Sequence, residues 1–452
     1  MKNNILLKLL LTIGISTVYG YANTAPTEPI DAKVVNQDSI PTVSSRDLVE
    51  QNIEQYANKK NIVFGELSKG KIYFYATSTI PVGPTNSQWA KYRTIAYEKA
   101  MLKAQKEFVK FLYQKMETET IQKFYDNQSD NARDIKDDPK IHSKFGEIFT
   151  KLQTLVGAQL DKALEDLGID PSEYNSVPRD QRKKTFQDNF SKKMMSKSMG
   201  SLAGVLPIQT IEGKTKSGGY SLGVVIVYSE KLKQLASDIT KRKLPLLTKK
   251  TGNSVKVFIP KDNNSLLSTF GPRVIFLEDG TPAVISYAQW SHNYTGKREV
   301  KLERRRESAQ KTAMMLADTQ IVEFLSAKMT ATESRTISAV SEEAVLKDGE
   351  TGDILDDDIE RLVDIAQEHT KKRAKAKLQG VTTVKKWRVK LKNGNEAIGA
   401  IRLWSYAGSQ QASQIKNWKS SNKPKVAKKE NVKITSQEEV RTGLDVMDTN
   451  DF

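Results

Sequence analysis

The stretch Ala96-Tyr-Glu-Lys-Ala100-Met101-Leu-Lys-Ala104 runs on to Val109-Lys-Phe111-Leu112-Tyr-Gln-Lys115-Met116 and recurs 213 residues later. There it reads Ala309-Gln-Lys-Thr-Ala313-Met314-Met-Leu-Ala317, continuing to Val322-Glu-Phe324-Leu325-Ser-Ala-Lys328-Met329 without a gap. Internal repetition of this kind decides an architecture before any single motif does. Alanines one turn apart share a helix face and leave it without bulk. Each stretch therefore predicts a long helix lying close to a sheet, with Phe108, Phe111 and Leu112 filling the wider end.

The repeat extends on both sides. Val63, Phe64, Tyr75 and Ala76 are answered at offset 212 by Ile275, Phe276, Tyr287 and Ala288. A closing segment repeats at offset 176: Leu202, Gly204, Val205, Gly223, Tyr228 and Ser229 match Leu378, Gly380, Val381, Gly399, Trp404 and Ser405. The difference between offsets 213 and 176 leaves the first copy 37 residues longer. Tyr73, Tyr75 and Thr77 alternate with Ile72, Phe74 and Ala76 as a strand does. In the second copy Asp356 to Leu378 predicts a helix with Ile359, Leu362, Val363 and Ala366 inward, stopped by Gly380. Val381–Leu391 and Ala397–Ser405 then pair across Lys392-Asn-Gly394-Asn, a strong hairpin signal. Ser217-Gly218-Gly219 turns the corresponding hairpin of the first copy, between Leu206–Glu212 and Tyr220–Ser229.

Each unit thus reads strand, long helix, second helix, antiparallel pair. The fold class is α+β: two tandem two-layer α/β sandwich modules, each a small antiparallel sheet packed by a long alanine-spaced helix and a second helix. The unit resembles the bacterial envelope module of the small outer-membrane lipoprotein family and of the N-terminal domain of the flagellar T-ring assembly protein. Ala96/Ala100/Ala104 with Ala309/Ala313/Ala317, and the hairpins Gly204 to Tyr228 and Gly380 to Trp404, carry that resemblance. It spans about 63–230 and 273–406. The chain departs from it in having no lipid-anchoring cysteine and in the extra segment of the first copy. The resemblance implies a structural or assembly role, binding rather than turnover.

The remaining boundaries follow from composition. Residues 1–22 read as a signal peptide: Lys2 and Lys8, an apolar run Leu9 to Val18, then Gly20 and Ala22 at a cleavage site. Residues 23–60 are a linker with Pro26, Pro29 and Pro41, in which Ser45 could cap a short helix to Lys59. Module 1 spans 61–240, with a charged helical insert, about 122–183, expected to be a surface excursion. An inter-module linker, 241–272, holds Lys241-Arg-Lys243, Pro245 and a possible strand at Val255–Ile259. Module 2 spans 273–408, and 409–452 is expected to be a disordered tail. A periplasmic or secreted protein follows, after cleavage near Ala22.

The 452 residues carry a net charge of +17, three histidines and no cysteine. That excludes disulfides, thiol nucleophiles and thiolate zinc sites. His142, His292 and His369 lie far apart, and Asp353 to Asp358 breaks the alternation of a calcium loop. No nucleophile elbow or phosphate-binding glycine loop occurs. We therefore expect no catalytic residue, metal or cofactor, and a non-enzymatic assembly or scaffold protein of an envelope complex. Its partner-binding candidates are Arg304, Arg305, Arg306, Lys371, Lys372, Arg373 and Trp418. Tryptophan is named because buried aromatics dominate interface energetics. The expected partner is an envelope protein complex or an anionic surface. The alternative is a polyanion- or DNA-binding envelope protein acting in uptake or transfer, disfavoured because basic faces are not interleaved with exposed aromatics.

Overall fold

A computed structural model of the chain describes residues 44–127, 145–216, 218–241, 243–325, 380–391, 394–417 and 441–443. Its first half runs α1 (Ser45–Lys60), β1 (Lys71–Ile80), α2 (Trp89–Asn127), α3 (Phe145–Thr154), α4 (Ala158–Leu167), α5 (Pro171–Ser176), α6 (Arg182–Gly200), β2 (Leu206–Lys214), β3 (Tyr220–Ser229) and α7 (Glu230–Thr240). There follow α8 (Asn263–Ser268), β4 (Gly271–Phe276), β5 (Pro282–Trp290), α9 (Glu299–Leu325), β6 (Val381–Lys390), β7 (Glu396–Ser405), α10 (Tyr406–Asn417) and β8 (Arg441–Thr442).

The chain is α+β, with two antiparallel sheets ordered β1-β3-β2-β8 and β4-β5-β7-β6. The repeat holds down to strand register. Tyr73 pairs with Val227 in the first sheet, and Ile285 with Leu403 at the matching positions of the second. The closing hairpins even share an irregularity, between Pro207 and Gln209 in one and between Thr383 and Lys385 in the other. Ala96, Ala100 and Ala104 are buried on α2, and Ala309, Ala313 and Ala317 on α9. Each helix lies on its own sheet. Gly204 and Gly380 both have positive φ, where a side chain is strained. A Cβ there would stand 2.4 Å from the backbone nitrogen of Lys233 or Ser409, so α7 and α10 approach the two sheets in the same way.

What covers the second face of each sheet differs. On the first sheet it is α1, capped by Ser44, whose hydroxyl accepts from the Asp47 amide while Asp47 accepts from the Ser44 amide. Val49 and Ile53 of this helix lie over Gly223, where a Cβ would come within 2.6 Å of both. On the second sheet the cover is the start of α2 together with Phe258, Leu267 and Phe270. One hydrophobic cluster accordingly contains Ala100 and Val224 of the first copy with Ile285 and Ile401 of the second. The modules interlock.

Several expectations are corrected. The insert is not a surface excursion: its Ile148, Leu152 and Leu164 join Phe186, Phe190 and Met194 of α6 in a cluster of their own against Val109, Tyr113 and Phe124 of α2. The helix within 23–60 is capped by Ser44 rather than Ser45 and belongs to the core. Val255–Phe258 is a 3-10 turn, not a strand. Val63-Phe64 makes one bridge, Phe64 to Tyr73, where its counterpart Ile275-Phe276 belongs to a full strand. The segment after 409 begins as helix, since α10 runs to Asn417, and Arg441–Thr442 pairs with the β2 edge. The signal peptide, the helix Asp356–Leu378 and residues 418–440 lie outside the described residues. Among the described residues no helix is long and apolar enough to cross a membrane.

Candidate functional site

The helices α2 and α9 each carry an arginine at the same place in the repeat, Arg93 and Arg306, one turn before Ala96 and Ala309. Arg93 is fully buried. Its Nε donates to Glu212 of β2 at 2.9 and 3.1 Å, its Nη1 to Gln289 Oε1 of β5 at 2.9 Å, and its Nη2 to Glu212 and to the Leu267 carbonyl at 2.7 Å. The guanidinium lies between the rings of Trp89 and Phe270, at 4.4 and 5.3 Å from their centroids. Thr94 adds a bond to the Gln289 carbonyl at 2.8 Å. One cation therefore ties together α2, β2, β5 and the end of α8. A buried ion pair persists only when its charges are matched and hydrogen-bonded, as these are.

Arg306 has a different carboxylate. Its Nε donates to Glu396 Oε2 at 2.7 Å, its Nη2 to the other oxygen of Glu396, and its Nη1 to Glu303. The His292 ring lies 3.2 Å from Glu396 through Nε2, and its Nδ1 faces the Tyr294 amide at 3.3 Å. That amide can only donate, so Nδ1 accepts and Nε2 carries the hydrogen. Burial alone would raise the Glu396 carboxyl. Hydrogen bonds from His292 and Arg306, with the charges of Arg306 and Arg388, outweigh it and hold the pKa at about 2. The same hydrogen bond to Glu396 raises the Arg306 pKa above its ordinary value.

Beside this group a polar cleft of about 200 Å³ opens between the start of α2, the end of β5 and α9. Lys91, Trp290, Ser291, His292, Arg305 and Ser308 line it. The Lys91 amide donates to Ser291 Oγ at 3.2 Å, which fixes the backbone at the rim. Lys91 Nζ reaches Gln88 Oε1 at 3.3 Å and stands 5.8 Å from the Trp290 ring centroid. Among the described residues no carboxylate pairs with Lys91 or with Arg305. Two such cations beside two hydroxyls and an aromatic face form the donor set that takes up a carboxylate, phosphate or sulfate group. Neither nitrogen of His292 is open to the cleft as a base or metal ligand, and among the described residues no group of three acidic or histidine side chains is placed to hold a metal.

The sequence-derived candidates divide three ways. Arg304 and Arg305 are exposed on α9, and Arg305 lines the cleft. Arg306 does not belong with them as a free surface cation, because Glu396 and Glu303 hold it. Lys371, Lys372, Arg373 and Trp418 lie outside the described residues, as do His142 and His369. On α6, Lys193 turns inward and donates to the Gly168 carbonyl at 2.6 Å beyond the end of α4. Burial, then the nearby Lys197 charge, lowers its pKa. Sequence reasoning missed Lys91, Trp290, Arg93 and Glu212. The signal for Arg93 was the repeat itself, since adding 213 lands on Arg306.

A family model described as a domain of unknown function, DUF6844, matches residues 145–241, from α3 through α7. No curated protein matches the chain. Among solved structures, the crystal structure of a hypothetical protein from Francisella tularensis is similar at 23% identity and a TM-score of 0.49. The likeness covers 82% of this chain and 93% of that one.

Proposed function

We propose that the chain is a non-enzymatic, exported assembly or scaffold protein of a bacterial envelope complex that holds an anionic group of its partner in the cleft between α2 and α9. The observation that carries this reading is the convergence of Lys91 and Arg305, each without a carboxylate partner among the described residues, on a polar cleft walled by Trp290. The groups from which chemistry is commonly built are otherwise engaged: Glu212 by Arg93, Glu396 by Arg306 and His292. Such closure favours a strut over a reaction centre. The leader at 1–22 and the resemblance to envelope modules support the location and the assembly role.

The test is cross-linking in the native host, comparing the protein with a Lys91→Glu/Arg305→Glu variant. The expected result is a discrete cross-linked complex in the periplasmic or secreted fraction, weakened by about tenfold or more in the variant while its melting temperature holds, because charge reversal at a desolvated contact costs several kcal/mol. An unchanged complex in the variant overturns the cleft. An intact leader in the cytosolic fraction, where a mature N-terminus at Asn23 is expected, overturns export. If binding instead tracks any polyanion and collapses steeply with salt, the DNA- or polyanion-binding reading replaces this one.

A further inference from the structure

The segment joining the modules carries a feature that the cleft does not explain. Its sequence is Lys241-Arg-Lys243-Leu244-Pro245-Leu246-Leu247-Thr248-Lys249-Lys250. Leu244 is 76% exposed and Leu246 83%, whereas Pro245 between them is buried and Leu247 packs against the core cluster of α1, α7 and α9. The backbone thus alternates, one residue in and one out, and presents two leucines to solvent.

The presentation is fixed by hydrogen bonds. The Lys243 amide donates to the Asp238 carbonyl at 2.9 Å, the Leu246 amide lies 3.5 Å from the Asp238 carboxylate, and the Lys249 amide donates to the Gly280 carbonyl at 3.0 Å. Asp238 is itself buried and accepts from Gln234. Lys241, Lys243 and Lys250 are exposed and have no carboxylate partner among the described residues, while Lys249 lies 4.9 Å from the Phe276 ring centroid. The β4–β5 turn, whose Gly280 carbonyl takes the Lys249 amide, carries two acidic residues, Glu278 and Asp279. Asp279 accepts from the Thr281 amide and hydroxyl and stays ionised, so Glu278 and Asp279 stand against Lys241, Lys243, Lys249 and Lys250.

A pinned pair of bare leucines ringed by lysines combines the two terms that hold a protein at an anionic bilayer: apolar side chains for the acyl boundary and cations for the headgroups. We propose that Leu244 and Leu246 form a membrane-contact point, at which the protein docks peripherally on a bilayer rich in anionic lipid. The cleft and this loop are separate surfaces, so either can fail without the other.

The experiment is sedimentation of the purified full chain with vesicles of phosphatidylglycerol and phosphatidylcholine, and with vesicles of phosphatidylcholine alone. Binding to the anionic vesicles, absent from the neutral ones, is expected. Leu244→Ser/Leu246→Ser should weaken it by about tenfold or more, since each leucine brings a full side chain of apolar area. Lys241→Gln/Lys243→Gln should weaken it by about tenfold, in line with the attraction of each juxtamembrane cation to an anionic surface. The substituted positions are exposed, and an unchanged melting temperature verifies that each variant folds. Failure of the unsubstituted protein to sediment with anionic vesicles overturns the proposal. So does retention by the leucine variant, which would assign the binding to charge elsewhere or to the apolar leader shared by every variant.

Discussion

Arg93 and Arg306 occupy one position of a repeated module, yet they are held in opposite ways. Arg93 is sealed between two sheets, with its carboxylate on the closing strand β2. Arg306 lies at the rim of the second sheet, with its carboxylate on β7. The counterpart of Glu212 in the second copy is Arg388, which now lies 4.0 Å from Glu396, and the counterpart of Glu396 in the first copy is Tyr220. The repeat therefore keeps the cation and relocates the anion. What decides the outcome is the cover: the second module closes over Arg93, whereas the corresponding end of α9 opens onto the cleft. A duplicated strut has become a core tie in one copy and a contact beside the cleft in the other.

That contrast is broken most directly at the buried end. Arg93→Ala leaves Glu212 without its cation inside the protein, and about 3–5 kcal/mol of stability should be lost. Arg306→Ala removes a cation that is itself 20% exposed and leaves a carboxylate still served by His292, so about 1.5–3 kcal/mol is expected. Urea denaturation of both variants gives the comparison, and equal losses would mean that burial does not separate the two arginines. Arg93→Met with Glu212→Leu sharpens it. Removing both charges together should recover most of the loss, because a buried pair is worth little against apolar side chains of similar size.

A second pair of matched positions separates the two covers. Gly223 and Gly399 lie at the same place in the central strands, and each leaves room for a neighbour. At Gly223 an added Cβ meets the tips of Val49 and Ile53 at 2.6 Å, aliphatic groups on a helix that can shift. At Gly399 it meets the Trp387 ring at 2.0 Å, a rigid plane on the adjacent strand. Overpacking costs about 1–3 kcal/mol, so Gly399→Ala should fall at the upper end and Gly223→Ala at the lower. Thermal unfolding of the two variants decides it. A reversed order would place the tighter contact under α1.

The halves of this comparison were unequally visible in the sequence. Regular periodicity carried the repeat: alanines at successive turns, alternation in the strands, Asn393-Gly394 at a hairpin turn. These are local signals that depend on which face is buried, and the paired strands keep the same register in both copies. The interlocking did not show, because it lies in what packs on the second face of each sheet. Residues 44–60 read as linker since their polar positions outnumber Val49, Ile53 and Ala57, the three that reach the core. The insert read as surface for a related reason: its apolar residues are dispersed over α3, α4 and α5 and converge only when α2 and α6 supply the other walls. Arg305 was named from a basic run, but its partner in the cleft, Lys91, lies on the other copy's helix. No spacing along the chain brings those two positions together.

The smallest expected effect concerns acid. The Glu396 carboxyl is held at about 2, below its ordinary value near 4.5, by His292 and Arg306 acting against burial. A carboxyl depressed on folding lends stability that is fully present above the unfolded value and is lost as pH falls through the folded one. The contribution of this rim group should thus be complete above pH 4.5 and gone near pH 2. A protonated Glu396 and a glutamine offer Arg306 nearly the same neutral partner. Melting temperatures of the parent protein and Glu396→Gln should therefore converge toward pH 2 and separate as pH rises to 4.5, with the parent higher. Parallel curves across that window would show that the Arg306 contact does not depend on the charge of Glu396, and the rim of the second module would then owe its order to packing alone.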